Sequence, residues 1–447
     1  MEIKRYKRDK EVDETSLFRF FFEVFSFIFC IFGTRKKFLS TLWKNSNNNI
    51  TYLTMVDFSY HAPTEVVFGK NSEQRIAALV KKYGVTKLLL HYGGKSAEKS
   101  GLLDVVRGQL REAGFPFVEL GGVVPNPLLS KVYEGIELCR REGVDFILAV
   151  GGGSVIDSAK AISFGLPYDG DVWDFFTGKG TPQVATPVAC VLTIPAAGSE
   201  MSNGCVITKA EGALKRSCDG SAGRCKFAIM NPERTYTLPP FQTACGITDM
   251  TMHTLERYFS QEDDMTLTDN IAEAILRTIQ DVAPDVLANP TDYRSRAQIM
   301  WAGSVAHNDL TGCGMSGDWA THDMEHELSG MFGVAHGAGL ASLWGSWARY
   351  VLPTNVSRFV RLAVNVMHVA NDFTDPKATA LKGIEAMERF FHSIGMPTSI
   401  HELIGREVTD EQIHELARKC SHDGSHTVGG FLVLHREDME KIYTMAK

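Results

Sequence analysis

Phe146-Ile147-Leu148-Ala149-Val150-Gly151-Gly152-Gly153-Ser154-Val155-Ile156-Asp157-Ser158-Ala159-Lys160-Ala161-Ile162 decides how this chain folds. Five apolar residues of strand length run into a glycine turn, and a helical pattern starts at once. A buried strand feeding directly into a helix is the unit of a parallel sheet. The glycines let backbone N–H groups approach a phosphate, and the helix dipole favours its negative charge. The turn is neither G-x-G-x-x-G nor a Walker loop. Read alone, Gly152, Gly153 and Ser154 are either a phosphate cradle or an ordinary turn between strand and helix.

The same alternation extends upstream. Strands are predicted at 65–69, 87–92 and 115–120, helices at 73–82, 100–113 and 129–142, and a further apolar strand at 188–194. This predicts an α/β domain with a Rossmann-like parallel sheet over 55–237, helices on both faces, and ligands beyond the carboxyl ends of the strands. After Leu238-Pro239-Pro240 long helical patterns take over, at 241–260, 266–287, 293–310, 322–332 and 375–394. An all-α domain is expected from 238 to 447, with the site between the two domains.

The helical half contains Asp249 and His253, four residues apart and so on one helix face. His322, His326 and His336 follow, the first two again four apart. Asp249 with His253, His322 and His336, one carboxylate and three imidazoles, forms a ligand set that suits Fe(II) or Zn(II).

The net charge of -7 and the lack of a basic stripe argue against a nucleic-acid partner. Nine scattered cysteines without a C-x-x-C pair fit reduced thiols in a cytoplasmic enzyme. Residues 1–54 differ from the rest, holding nine of the 26 phenylalanines and ending in an Asn-rich tract. The apolar run 17–32 is short for a membrane span and carries Arg19 and Glu23. This segment is read as an extraneous or disordered extension, the alternative being a membrane-associating anchor.

Four motifs together resemble the iron-dependent (group III) alcohol dehydrogenase family, in particular its NADPH-dependent butanol dehydrogenase branch. They are Gly-Gly-Gly-Ser-x-x-Asp at 151–157, Ala-Gly-Ser-Glu-Met-Ser at 197–202, Asp-x-x-x-His at 249–253 and His-x-x-x-His-x(9)-His-Gly at 322–337. The resemblance runs from about Met55 to Lys447. It implies metal ligation by Asp249, His253, His322 and His336. It makes His326 a catalytic-site residue, either in proton relay or near the nicotinamide, or else a helix histidine that orients a ligand. It places Gly152, Gly153, Ser154, Asp157, Asn126, Thr193, Ser199, Ser202 and Lys215 around the cofactor. It also implies a homodimer, a small primary alcohol or aldehyde such as butanol or butanal as substrate, and hydride transfer with a nicotinamide while the metal polarises the substrate oxygen.

The turn Gly93-Gly94-Lys95-Ser96 bears on the cofactor. Rossmann-type proteins that use NAD carry an acidic residue near such a strand end to bind the ribose. Here glycines, a lysine and a serine stand instead, so NADPH is expected and NADH disfavoured. Competing readings are a metallohydrolase, although H-E-x-x-H is absent, a glycerol-dehydrogenase-like or dehydroquinate-synthase-like enzyme, and a non-enzymatic binding module.

Overall fold

The computed structural model describes residues 56–447 except Lys95 and Asp263, so the expectations for residues 1–54 and for Lys95 lie outside the described residues. Strand and helix alternate through the first half: β1 (Glu65–Phe68), α1 (Ile76–Lys82), β2 (Leu88–Tyr92), α2 (Leu102–Glu112), β3 (Phe117–Leu120), α3 (Leu129–Glu142), β4 (Phe146–Gly151), α4 (Gly153–Gly165) and β5 (Val188–Leu192). A hairpin, β6 (Gly204–Lys209) and β7 (Leu214–Asp219), stands apart from the main sheet, and β8 (Phe227–Met230) returns to it. The sheet order is β1-β8-β5-β4-β2-β3, with every neighbouring pair parallel.

Burial explains why β4 and β5 read as unbroken apolar runs: every residue of both is buried. Ile147, Ala149 and Cys190 pack on one face with Ile156 and Ile162 of α4. Leu148, Val150 and Val191 face the other way, onto Leu103 and Val106 of α2. Period-two alternation therefore splits each strand between two cores. Winding reverses between β2 and β4, where Tyr92 stands in register with Val150. That reversal opens a crevice at the strands' carboxyl ends, where the Gly93 and Gly151 turns emerge side by side.

The second half is helical: α5 (Pro240–Tyr258), α6 (Thr266–Ala288), α7 (Tyr293–Ala306), α8 (Ala320–Phe332), α9 (His336–Val351), α10 (Val356–Asn365), α11 (Pro376–Ser393), α12 (Asp410–Cys420) and α13 (Arg436–Met445). Helix α5 starts on a proline, which fits the first helical turn because its missing N–H would be unbonded there anyway. It is buried almost all round from Thr243 to Tyr258. Polar residues on α5 are therefore held inside the protein, which is unusual unless they are partnered or bind an ion. An α/β half with a Rossmann-like sheet and an all-α half are thus both present. Among the described residues, no helix is long and apolar enough to cross a membrane.

Candidate active site

Asp249 and His253 lie one turn apart on α5, 4% and 5% exposed. His322 and His326 lie one turn apart on α8, also buried, and His336 is the first residue of α9. Gly333 closes α8 in the left-handed region with φ 68°, which a glycine adopts freely, and this turns the chain back toward α5. A Cβ on Gly337 would lie 2.2 Å from the Cys245 carbonyl oxygen, so glycine alone lets α9 begin against α5.

Asp249 Oδ1 lies 3.8 Å from His322 Nε2, 3.7 Å from His336 Nε2 and 3.6 Å from His253 Nδ1. Ligand atoms of Asp249, His322 and His336 all fall within 4.8 Å of one another. His253 faces Asp249 from the side, its ring stacked on that of His322 at 4.6 Å. Asp249 Oδ1, His253 Nδ1 and His322 Nε2 are buried without a hydrogen-bond partner among the described residues. Buried polar atoms left in this way are costly unless something binds them, and a divalent cation fits this donor set.

The electrostatics agree. Burial works against protonation of His322, but the Glu256 and Asp249 carboxylates outweigh it and raise its pKa to about 10. His253 and His326 go the other way: burial, and then the neighbouring His307 and Lys215 respectively, keep their imidazoles neutral.

The cofactor-side expectations separate into two groups. Gly93, Gly94, Ser96, Gly152, Gly153, Ser154, Asn126 and Thr193 lie on turns or helix starts at the carboxyl ends of β2, β3, β4 and β5. Gly152 caps α4 with extended backbone and no side-chain hydrogen bond, and its carbonyl accepts from the Val155 N–H at 3.0 Å, so the Gly153 and Ser154 N–H groups are the open ones at the helix start. A Cβ on Gly152 or Gly153 would meet Ile194 Cβ or Ala197 Cβ at 3.0 Å, so bare backbone lines the turn. Asn126 is left-handed, with φ 53°.

Asp157, Ser199 and Ser202 are bonded internally. Asp157 accepts from Ser199 Oγ at 2.6 Å and from the Val206 N–H at 3.0 Å, and Lys160 Nζ donates to the Ser202 carbonyl at 2.9 Å. Lys215, on β7, reaches the metal side: Nζ lies 3.1 Å from Glu325 Oε2 and 3.2 Å from His336 Nδ1. Its strand partner Thr208 donates its N–H to the Pro127 carbonyl at 2.8 Å, beside Asn126.

The two sides abut. The loop leaving β5 at Thr193 passes over α5 so closely that a Cβ on Gly246 would lie 2.4 Å from the Pro195 carbonyl oxygen, one turn from Asp249. Further along it, Gly198 packs against His307.

Four residues of the site were not anticipated. Glu256 binds the His322 backbone N–H through Oε1 at 3.1 Å and places Oε2 3.3 Å from His322 Nδ1. Glu325 faces His336 Nδ1 through Oε2, while its Oε1 accepts from Ser329 Oγ. His307 packs edge-on to His253 at 4.0 Å, and Trp319 stands 5.4 Å from the His322 ring. Glu256 was detectable in principle, three residues beyond His253 on the same helix face.

Comparison with known proteins fits this geometry. The family model "Iron-containing alcohol dehydrogenase" matches residues 63–232, and "Fe-containing alcohol dehydrogenase family, C-terminal" matches residues 243–447. The chain belongs to the iron-containing alcohol dehydrogenase family. As such it is a metal-dependent alcohol dehydrogenase or aldehyde reductase. It is 40% identical to the probable NADH-dependent butanol dehydrogenase 2 of Bacillus subtilis, over 86% of this chain and 98% of that protein. It is 37% identical to NADH-dependent butanol dehydrogenase A of Clostridium acetobutylicum, over 87% and 99%. Among solved structures, NADH-dependent butanol dehydrogenase A from Thermotoga maritima superposes with a TM-score of 0.84 at 36% identity, covering 88% of this chain and 99% of that one.

These relatives overturn the expectation of NADPH with NADH disfavoured, and they give the assignment to an NADPH-dependent branch no specific support. The physical reason lies in the Gly93-Gly94 turn. Lack of a carboxylate there removes repulsion of a 2′-phosphate but supplies no preference for one. Gly94 is exposed, and a Cβ on it would meet nothing within 4 Å. An open turn excludes neither nucleotide.

Proposed function

We propose that this protein reduces small aldehydes such as butanal to primary alcohols, and catalyses the reverse oxidation, with NADH as hydride carrier and Fe(II) or Zn(II) as metal. Convergence of Asp249, His322 and His336 beneath the loop that follows β5 carries the reading. In it Asp249, His253, His322 and His336 hold the metal, which polarises the substrate oxygen when bound. The α4 N-terminus at Gly152–Ser154 holds the pyrophosphate, and the Gly93 turn and Asn126 flank the adenosine end. Asp157, Ser199 and Ser202 shape the loop over the nicotinamide rather than bind it, and Lys215 and His326 stand at the nicotinamide end, where a neutral His326 can pass a proton.

A cytoplasmic homodimer completes the proposal. Its supports are the free thiols and the edge position of β1, whose outer side has no strand partner among the described residues. The test is metal analysis of anaerobically purified protein, followed by loss of the nicotinamide absorbance with butanal and NADH. Metal-free protein that turns over at the full rate, or no reaction with NADH across an aldehyde panel, would refute the reading. Sedimentation at micromolar concentration decides the dimer.

A further inference from the structure

We propose that Glu325 is a positioning residue for His336: its carboxylate accepts the hydrogen bond from Nδ1–H, which keeps the proton on that nitrogen and leaves Nε2 unprotonated and aimed at Asp249. The proposal rests on the reading of His336 as a metal ligand. A histidine binds metal through an unprotonated nitrogen, and the bond made by its other nitrogen decides which one that is.

The two ring nitrogens of His336 have different surroundings. Nε2 points to Asp249 Oδ1 at 3.7 Å, and Nδ1 contacts Glu325 Oε2. Glu325 is fully buried, so its charge needs partners. Lys215 Nζ lies 3.1 Å from Oε2, and Ser329 Oγ donates to Oε1. Space is reserved for this carboxylate. A Cβ on Gly339 of α9 would lie 2.7 Å from Glu325 Oε1 and 2.8 Å from its Cγ. The arrangement parallels the one at His322, whose Nδ1 is backed by Glu256 at 3.3 Å.

Glu325, His326 and His336 could also form a metal-binding group in their own right. The Lys215 ammonium argues against this. It stands 3.1 Å from Glu325 Oε2 and 3.2 Å from His336 Nδ1, where a second cation would have to sit.

The test measures release of Zn(II) from the zinc-loaded full chain into a chelator. Glu325→Gln should speed release roughly 10–100-fold, the usual effect of losing such a supporting group. Glu327→Gln is the control. Glu327 is an equally buried glutamate on α8, but it pairs with Arg216 and Lys419 rather than with a proposed ligand. It should release zinc at the wild-type rate. Selective 15N-histidine labelling of the zinc form should show His336 protonated on Nδ1 in wild type, with that signature lost in Glu325→Gln.

If Glu325→Gln folds poorly, Glu325→Gln/Lys215→Met removes the stranded ammonium and should still release zinc fast. Equal release from Glu325→Gln and Glu327→Gln would overturn the proposal. So would wild-type retention by the double variant, or two zinc ions per chain with one lost in Glu325→Ala. Wild-type retention by His336→Ala would instead remove the ligand reading beneath it.

Discussion

Asp249 Oδ1 on α5 lies 3.7 Å from His336 Nε2 on α9, and Gly337 is what lets those two helices meet. A methyl group at 337 would sit 2.2 Å from the Cys245 carbonyl oxygen, which belongs to α5 and cannot step aside. Gly337→Ala should therefore push the start of α9 outward. We expect a loss of about 1–3 kcal/mol of stability from overpacking and a fall in bound metal per chain. Metal content and chemical denaturation measured side by side check both, and an unchanged metal ratio would refute the link between that contact and the site.

His336→Ala and His326→Ala should differ in kind. The first removes one of the proposed ligands, and metal and turnover should go together. The second removes a neutral ring 5.9 Å from His336, and the metal should stay while turnover falls about 10–100-fold. If His326→Ala loses metal and His336→Ala keeps it, the two roles must be exchanged.

Gly198→Ala and Gly94→Ala form a second contrasting pair. Gly198 has φ 60°, and a Cβ there would lie 2.5 Å from His307 Cβ and 2.9 Å from the Gly303 carbonyl oxygen. Strain and clash together should cost roughly 1–3 kcal/mol, with a raised KM for NADH because Ser199 moves. Gly94 is open and not left-handed, so alanine should change stability by less than about 0.5 kcal/mol. Thermal melts of the two variants decide it.

Much of this was legible in the sequence, for identifiable reasons. The strands at 146–151 and 188–192 are buried on both faces, so their composition alone marked them. Helix spacing marked Asp249 with His253 and His322 with His326. Strand β7 was missed because Leu214-Lys215-Arg216-Ser217-Cys218-Asp219 has no β-branched residue, and pairing with β6 rather than propensity holds it. Lys215 was expected near the cofactor without its partners, because Glu325 and His336 are distant in sequence. The cofactor preference failed because a missing carboxylate is permissive rather than selective.

His91 should make the fold acid-sensitive. It is fully buried on β2, with Nδ1 2.9 Å from the Leu120 carbonyl oxygen and Nε2 2.9 Å from Ser158 Oγ. Burial lowers its pKa from 6.5 to about 4, against the pull of the Leu120 carbonyl. Between those values the unfolded chain binds more protons than the folded one, so stability falls as pH drops through this window. The loss approaches roughly 3 kcal/mol at the acid end. The melting temperature of wild type should drop more steeply than that of His91→Gln as pH falls from neutrality to about 4.5. Parallel slopes would show that His91 contributes nothing to the acid sensitivity.

The β6–β7 hairpin touches both halves of the chemistry. Thr208 bonds to the Pro127 carbonyl beside Asn126, and its partner Lys215 bonds to the carboxylate behind His336. With the ligands seated at the proposed sites, a strut fastened at both ends would link nucleotide and metal thermodynamically. Whatever factor bound NADH applies to metal retention, bound metal must apply to NADH affinity. A nucleotide held at Asn126 would steady the hairpin through the Pro127–Thr208 bond, so the factor is expected to favour retention. Protein purified with NADH present should then keep its metal through steps that strip the nucleotide-free enzyme, without any residue contacting both ligands.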